Sequence, residues 1–519
     1  MNAIAESPEK VKSELMTRFS STMDRLFAKA DDGARPRDLE LALWSELVSL
    51  GALVLSYLFA AICRRAMEQD VASRGLRPED IRLRPEADYW HKITTTFGPV
   101  SFPTFAYRHS RGGAEVTRRP AHSVFPFHRR CRSSELCLEW ECRLGSDHPF
   151  RQAQEALTFF THEAVRLEDT TIQAHLVSVA QLIDRSFLYR DVDSIRKILS
   201  ERATCDRVTG KPLLYMSSDA HALRRLDDGT WDTHWKMANG IRLWCEDRHS
   251  GNIIHLGGEF LWGDYALVVD AFSWLNSHGI LPPDGDYGDG VVAELCWLSD
   301  GMPWFSDHIL PLFTSPVVIL DVYHLLERLA AYAALCYGKG SRAARRWYNQ
   351  AAGLVCGPKS HPNNRKPTPR RGTRRAGKRV PKIRAHQRTT EPPEGPYKMV
   401  KDLGLLLVST HPKTIKAEEA KQKLGGYIIS NVARMDYATY RYRGYQIGSG
   451  AMESIHRQGS QIRTKLPGAS WLEYTSQAIF NVRMMRLAGN WDRFWHQQDL
   501  EEKLAPAFEQ ARELKRNAA

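Results

Sequence analysis

Three carboxylates, far apart in this chain, stand in settings that metal-assisted phosphoryl transfer uses. Asp219 follows the apolar run Leu213 to Ser218, Asp300 follows Ala293 to Leu298 and sits between Ser299 and Gly301, and Glu453 follows the glycine-rich Gly448-Ser449-Gly450. Acids at the ends of apolar strands are held on rigid elements at one sheet edge, where their side chains can converge. Oxygen ligands suit a hard divalent cation, and two ions roughly 3.5–4 Å apart can serve both the attacking and the leaving oxygen of a phosphodiester. Glu453 falls in the first turn of a predicted helix, where the helix dipole favours its ionised form. Taken singly, each acid has an ordinary alternative as a solvated or capping residue. The reading rests on the set.

The elements that must position these acids alternate between strand and helix. Leu213 to Ser218, Ile241 to Cys245 and Ile253 to Trp262 read as strands, the last two joined by a polar turn at Arg248 to Asn252. A helix over Tyr265 to Leu275, a strand over Ala293 to Leu298 and a strand over Pro316 to Leu320 follow, the last ending at Asp321 before helical residues. Three strands, a helix, a strand, a helix and a strand is the order of an RNase H-like α/β core with a mixed five-stranded sheet. After Gly448 the spacing puts Met452, Ile455, Ile462 and Leu466 on an apolar helix face and Glu453, His456, Arg457 and Ser460 on the adjacent polar one. Asp321 and His324, at i and i+3, share a face as metal ligands or a proton relay, or else serve as a helix cap and a packed histidine.

Asp219, Ser299-Asp300-Gly301, Asp321-Val322-Tyr323-His324 and Gly448-Ser449-Gly450-Ala451-Met452-Glu453 together resemble the bacterial insertion-sequence transposases of the ISKra type, relatives of the Mutator-like group. Thr96-Phe97-Gly98-Pro99-Val100, Ser476-Gln477-Ala478-Ile479 and Asn490-Trp491-Asp492-Arg493-Phe494-Trp495 extend the resemblance over roughly residues 90 to 500. It implies a catalytic, metal-holding DDE triad of Asp219, Asp300 and Glu453 with Mg²⁺ or Mn²⁺, and Asp321 and His324 as its Asp-x-x-His element beside the site; His456, near the site, is with Arg457 a candidate contact to the DNA backbone. It also implies terminal-repeat and target DNA as partners, and a homodimer or higher assembly. The chain departs from the family where Ala220 and His221 follow the first Asp in place of the usual glycine, which leaves Asp227, Asp228 and Asp232 as rivals. Paired cysteines found in many relatives are also missing. A metal-dependent nuclease without strand transfer, and an inactive DNA-binding descendant, are the alternatives.

Composition agrees with an anionic partner. The chain has 519 residues and a formal charge of +12, and the stretch Lys359 to Arg388 holds about a dozen Lys and Arg with no Asp or Glu. Five prolines in and beside this stretch argue against a packed core, so Arg370, Arg371, Arg374, Arg375, Lys378 and Arg379, with Arg457, are the candidate DNA contacts, against a solvated linker. Nine cysteines without regular spacing are not a disulfide framework and fit a reducing cytoplasm, which the resemblance makes bacterial and nucleoid-associated. Cys131, Cys137 and Cys142, near His128, are either free buried thiols or an irregular zinc site. Asp284, Asp286 and Asp289 do not match a calcium loop.

No signal peptide is read at Met1 to Lys10. The apolar run Leu47 to Ile62 is shorter than the roughly 20 residues of a membrane span. It is expected as a buried helix at a core or subunit contact, with no membrane partner. The expected units are a helical region at 1–86, a small β-hairpin region at 87–130 and a helical region at 131–205. That last region is either a DNA-reading helix-turn-helix or a plain helical hairpin, with Thr170 and Gln173 as a capping box. Then come the first part of the core at 210–330, an insertion at 331–440 carrying the basic stretch 359–388, the catalytic helix and end of the core at 441–500, and a tail at 501–519.

Overall fold

The computed structural model describes residues 8–83, 90–111, 114–125, 131–226, 232–263, 265–301, 303–356 and 396–517. Two long helices come first, α1 (Pro8–Asp31) and α2 (Pro36–Ser73). They are tied by Arg25 to Glu46 at 2.9 Å and Tyr57 to Glu14 at 2.9 Å. Short strands follow: β1 (Ile81–Leu83), β2 (Trp90–Thr95), β3 (Gly98–Pro103), β4 (Tyr107–Arg111) and β5 (Ala114–Arg118). β2 and β3 form an antiparallel hairpin, and β1, β4 and β5 form a separate three-stranded sheet. Ala60 and Cys63 of α2 pack on Ile93, Val100 and Phe102 of the hairpin. That leaves much of α2 uncovered within the chain: Leu47, Leu58 and Ile62 are exposed, so the segment is not buried in a core of its own chain. By length and composition alone α2 could also cross a membrane.

Next come α3 (Glu135–Asp147), α4 (Phe150–Phe160), α5 (Asp169–Ala180) and α6 (Val192–Glu201). The capping box expected at Thr170 and Gln173 does not form. α5 starts two residues earlier, after Glu168, and the Gln173 amide instead donates to Thr475 at 3.1 Å. A tertiary partner outbids the local cap. From His175 to Ala180 every residue of α5 is buried.

The central sheet comprises β6 (Leu213–Leu226), β7 (Thr233–Glu246), β8 (Ile253–Trp262), β9 (Glu294–Ser299) and β10 (Val317–Leu320), with α7 (Tyr265–Ser277) and α8 (Pro303–His308) between them. The spatial order is β10-β9-β6-β7-β8; β6, β7 and β8 are antiparallel neighbours, and β9 and β10 run parallel to β6. Period-two alternation divides the strands between two cores. Leu214, Met216 and Trp297 enter one core with Phe272 and Met484. Leu213, Tyr215, Cys296, Leu298 and Ile319 enter the other with Leu325, Leu329 and Trp347. Each such fully buried aliphatic contributes about 1.5–3 kcal/mol.

β6 is longer than the sequence suggests. Its parallel pairing with β9 stops at Met216, but its antiparallel pairing with β7 continues to Leu226. Asp219 therefore lies within a strand, not at its end. Ala220, His221, Ala222 and Arg224 are not strand formers, and cross-strand pairing carries them.

Helices α9 (Val322–Tyr337), α10 (Arg342–Cys356), α11 (Pro396–Val408), α12 (Ile415–Ser430) and α13 (Tyr437–Arg443) pack on the second core. The candidate DNA contacts from Arg370 to Arg379 lie outside the described residues. The chain then re-enters the sheet through α14 (Gly450–Ile455), a π turn at His456–Gln461, α15 (Glu473–Leu487), α16 (Trp491–Trp495) and α17 (Leu500–Asn517).

Candidate active site

Sheet register brings the two aspartates together. Leu213 pairs with Glu294 and Met216 with Trp297, so continuing that register sets Asp219 level with Asp300 on the adjacent parallel strand. The Ser217 hydroxyl, donating to the Leu298 carbonyl at 2.8 Å, maintains the register beyond the ladder. On the other side Ser299 pairs with Leu320, which sets Asp321 level with Asp300. Asp300 and Asp321 thus directly follow the ends of β9 and β10, and Asp219 stands three residues past the last β6–β9 pair. Asp219 and Asp300 line the same cleft, of about 200 Å³, with Asn239, Tyr265, Trp304 and Ser299.

The turn carrying Asp300 is braced from two directions. Gly301 has φ 86°, a left-handed conformation in which a Cβ would come within 3.0 Å of Asn431 and Leu320. The Ser299 hydroxyl accepts from the Gly301 amide at 3.0 Å, and the Tyr427 hydroxyl donates to the Asp300 carbonyl at 2.9 Å. Tyr427 belongs to α12, so the inserted helices buttress the sheet edge.

Asp321 caps α9, accepting from the Tyr323 amide at 2.9 Å and from the Ser449 hydroxyl. His324 Nε2 is 3.7 Å from its carboxylate. Burial raises the Asp321 pKa despite these partners. The cap and the shared helix face are both present.

Glu453 is exposed in the first turn of α14. Partial burial raises its pKa, then repulsion from Asp321, Glu327 and Asp219, while His324 opposes the shift. The acids gather closely enough to repel one another. They do not close on a common point: among the described residues no three His, Cys, Asp or Glu side chains form a group able to hold a metal ion.

The polar face expected after Glu453 is rotated. The helix widens to a π turn at His456, which shifts the faces beyond it. Ile462, expected in the core, is 54% exposed, whereas His456 and Ser460 are buried. Arg457 is exposed. His456 Nε2 lies 4.0 Å from Asp219 Oδ2 and makes no hydrogen bond. Beside it, His221 Nε2 is 2.8 Å from Ser460 Oγ, and the two imidazoles meet edge to face at 4.7 Å. Burial lowers both histidine pKa values, that of His221 to about 3 with help from His456 and Lys465.

The roles of three contributors escape a reading of the sequence, although Ser449 belongs to the glycine-rich motif. Gly240, opposite Asp219 in β7, leaves room for α14: a Cβ there would meet Phe260, Met452 and His456 at 2.7, 2.9 and 3.1 Å. An isolated glycine inside a strand is the usual sign of such close approach. Arg242, buried, donates to the Ala451 carbonyl, and Ser449 reaches Asp321. Neither contact has a local signal.

Of the rivals for the first acid, Asp227 and Asp228 lie outside the described residues. Asp232 immediately precedes Thr233, the partner of Leu226 at the far end of the hairpin from Asp219. Cys131, Cys137 and Cys142 are fully buried free thiols. The histidine near them is His175, whose Nε2 is 3.7 Å from Cys131 Sγ and whose Nδ1 is 2.5 Å from Glu141 Oε2. His128 lies outside the described residues.

No family model and no curated protein matches the chain. Among solved structures it is similar to a chain of the Drosophila P element transposase strand transfer complex, at 10% identity and a TM-score of 0.30, over 68% of this chain and 93% of that one.

Proposed function

We propose that this chain is a DDE-type DNA transposase of the ISKra type with an RNase H-like core. It would cleave DNA at transposon ends and join the freed 3′ ends to target DNA. The observation that carries the reading is that Asp219 and Asp300 line one cleft, with Glu453 near enough to feel Asp219. The carboxylate donors fit a hard divalent cation, and their mutual repulsion is what such a cation relieves.

Asp219, Asp300 and Glu453 would hold the cation, while Asp321 and His324 flank them. When bound, Mg²⁺ or Mn²⁺ would supply Lewis acidity to the phosphoryl oxygens. The chain's own part is positioning. The sheet fixes the two aspartates, and the Gly301 turn and Tyr427 fix the backbone at Asp300. Arg242, Gly240 and the tie from Ser449 to Asp321 set α14, and with it Glu453, against the sheet. Both reactions are in-line displacements in which such positioning accounts for much of the rate.

DNA ends and target DNA are the proposed partners, with the basic stretch Lys359 to Arg388 and Arg457 contacting phosphates, and the active form is a dimer or larger, acting at the nucleoid in the bacterial cytoplasm. A second reading, an inactive DNA-binding descendant, is favoured by the open arrangement of the three acids. Asp300→Asn separates them. It abolishes metal-dependent cleavage and spares DNA binding if the chain is a transposase, and it changes nothing if the chain only binds.

A further inference from the structure

One face of α2 is left to solvent. Leu43, Leu47, Leu58 and Ile62 are exposed along it, between exposed Glu40 and Arg65. Helical periodicity puts all six on one side, away from Ala60 and Cys63, which pack on the hairpin. Phe19 and Met23 of α1 line a groove with Leu43 and Leu47 and so widen the apolar face. From Leu47 to Cys63 the chain carries no charged residue. A contiguous exposed face of this kind marks an interaction surface.

The spacing along the face is symmetric. Leu47 and Leu58, Leu43 and Ile62, and Glu40 and Arg65 are pairs equidistant from a midpoint between Ala52 and Leu53. Turned end over end, the stripe matches itself: aliphatic side chains meet aliphatic ones, and the carboxylate at one end meets the guanidinium at the other. Among the described residues neither Glu40 nor Arg65 has an ion-pair partner in its own chain.

We propose that this face binds a second copy of the chain, the two α2 helices packing antiparallel about a twofold axis at that midpoint. Leu47 then lies against Leu58 of the partner subunit, and Glu40 against Arg65 of the partner subunit. A twofold contact is self-complementary, so every such pair forms twice. Lipid is the poorer occupant. Glu46 within the same helix is tied to Arg25, and the Ser56 hydroxyl donates to the Ser101 carbonyl at 2.6 Å, so polar partners already stand along α2. The interface is independent of the transposase reading, which asks for a dimer or larger form without naming its surface.

Analytical ultracentrifugation of the full chain measures the dimer without DNA, and charge reversal tests the register. Wild type should dimerise. Glu40→Lys and Arg65→Glu each set like charges against one another at both ends of the interface, and each should weaken the dimer by about tenfold or more. The double variant restores opposite charges and should return to within about threefold of wild type. Chains carrying Leu47→Cys mixed with chains carrying Leu58→Cys should form, on oxidation, a cross-link between unlike chains that neither forms alone. A monomeric wild type, or one that binds phosphatidylcholine vesicles in place of dimerising, overturns the proposal. So does a dimer indifferent to the charge reversals, or an equal cross-link from Leu47→Cys alone. None of these outcomes bears on the carboxylate site, which the cleavage assay tests separately.

Discussion

Ser449 donates its hydroxyl hydrogen to the Asp321 carboxylate, joining the glycine-rich turn before α14 to the cap of α9. Asp321 is 1% exposed, and without this donor a lone pair is left facing protein. Ser449→Ala is therefore expected to cost about 1–3 kcal/mol at neutral pH. Adding Asp321→Asn to Ser449→Ala should cost less than the sum of the single changes. Urea unfolding of the four members of that cycle measures the coupling, and strict additivity would mean the bond contributes nothing.

Gly240→Ala places a methyl group against Phe260, Met452 and His456. Overpacking of this kind costs about 1–3 kcal/mol. Because the displaced element is α14, the variant should also lower the rate of cleavage more than it lowers DNA affinity. A stable variant with wild-type kinetics would show that α14 does not depend on that gap.

Glu453 has a raised pKa, so the folded state holds its proton more tightly than the unfolded state does. Its ionisation therefore removes stability as the pH rises from the ordinary carboxylate range through the raised value, with no penalty below that window. In the absence of divalent cations Glu453→Gln should match wild type below the window and exceed it above, by only about 1–2 °C because the side chain is exposed. Added Mn²⁺ should raise the melting temperature of wild type above the window and that of Glu453→Gln much less. Scanning calorimetry at two pH values, with and without Mn²⁺, checks both signs.

His175 makes a separate pH prediction. Burial opposes its charge, but Glu141 and Cys131 prevail and raise the pKa to about 10. A base with a raised folded pKa stabilises fully below its unfolded value, near 6.5, and loses that contribution as the pH climbs towards 10. Wild type should lose stability across that interval. Glu141→Gln should flatten the profile, as followed by thermal unfolding at a series of pH values.

The sequence marked the strands near Asp219, Asp300 and Asp321 because apolar runs and turn residues are local signals. It did not give the length of β6. Residues such as Ala220 and Arg224 extend only because β7 pairs with them. Nor did it reveal the π turn, where packing of His456 and Ser460 overrides the helical periodicity that would bury Ile462. Gly240 lay just before the strand read from Ile241 to Cys245, so its place inside β7 had no signal. The placement of Asp219 and Asp300 in one cleft depends on register between strands separated by most of the core, which no local pattern encodes. In α2 the apolar run implied burial in a core or at a subunit contact, and within one chain much of it stays exposed.

The central claim is that Asp219, Asp300 and Glu453 carry metal-dependent DNA chemistry. The most direct measurement is a cleavage and strand-transfer assay on DNA bearing the element's own ends, with Mg²⁺ or Mn²⁺, comparing wild type with Glu453→Gln. The account predicts metal-dependent joined products from wild type and none from the variant, with DNA binding by the variant within about twofold of wild type. Wild-type protein that binds and assembles on the ends yet yields no metal-dependent product, or a variant that joins as well as wild type, would contradict it.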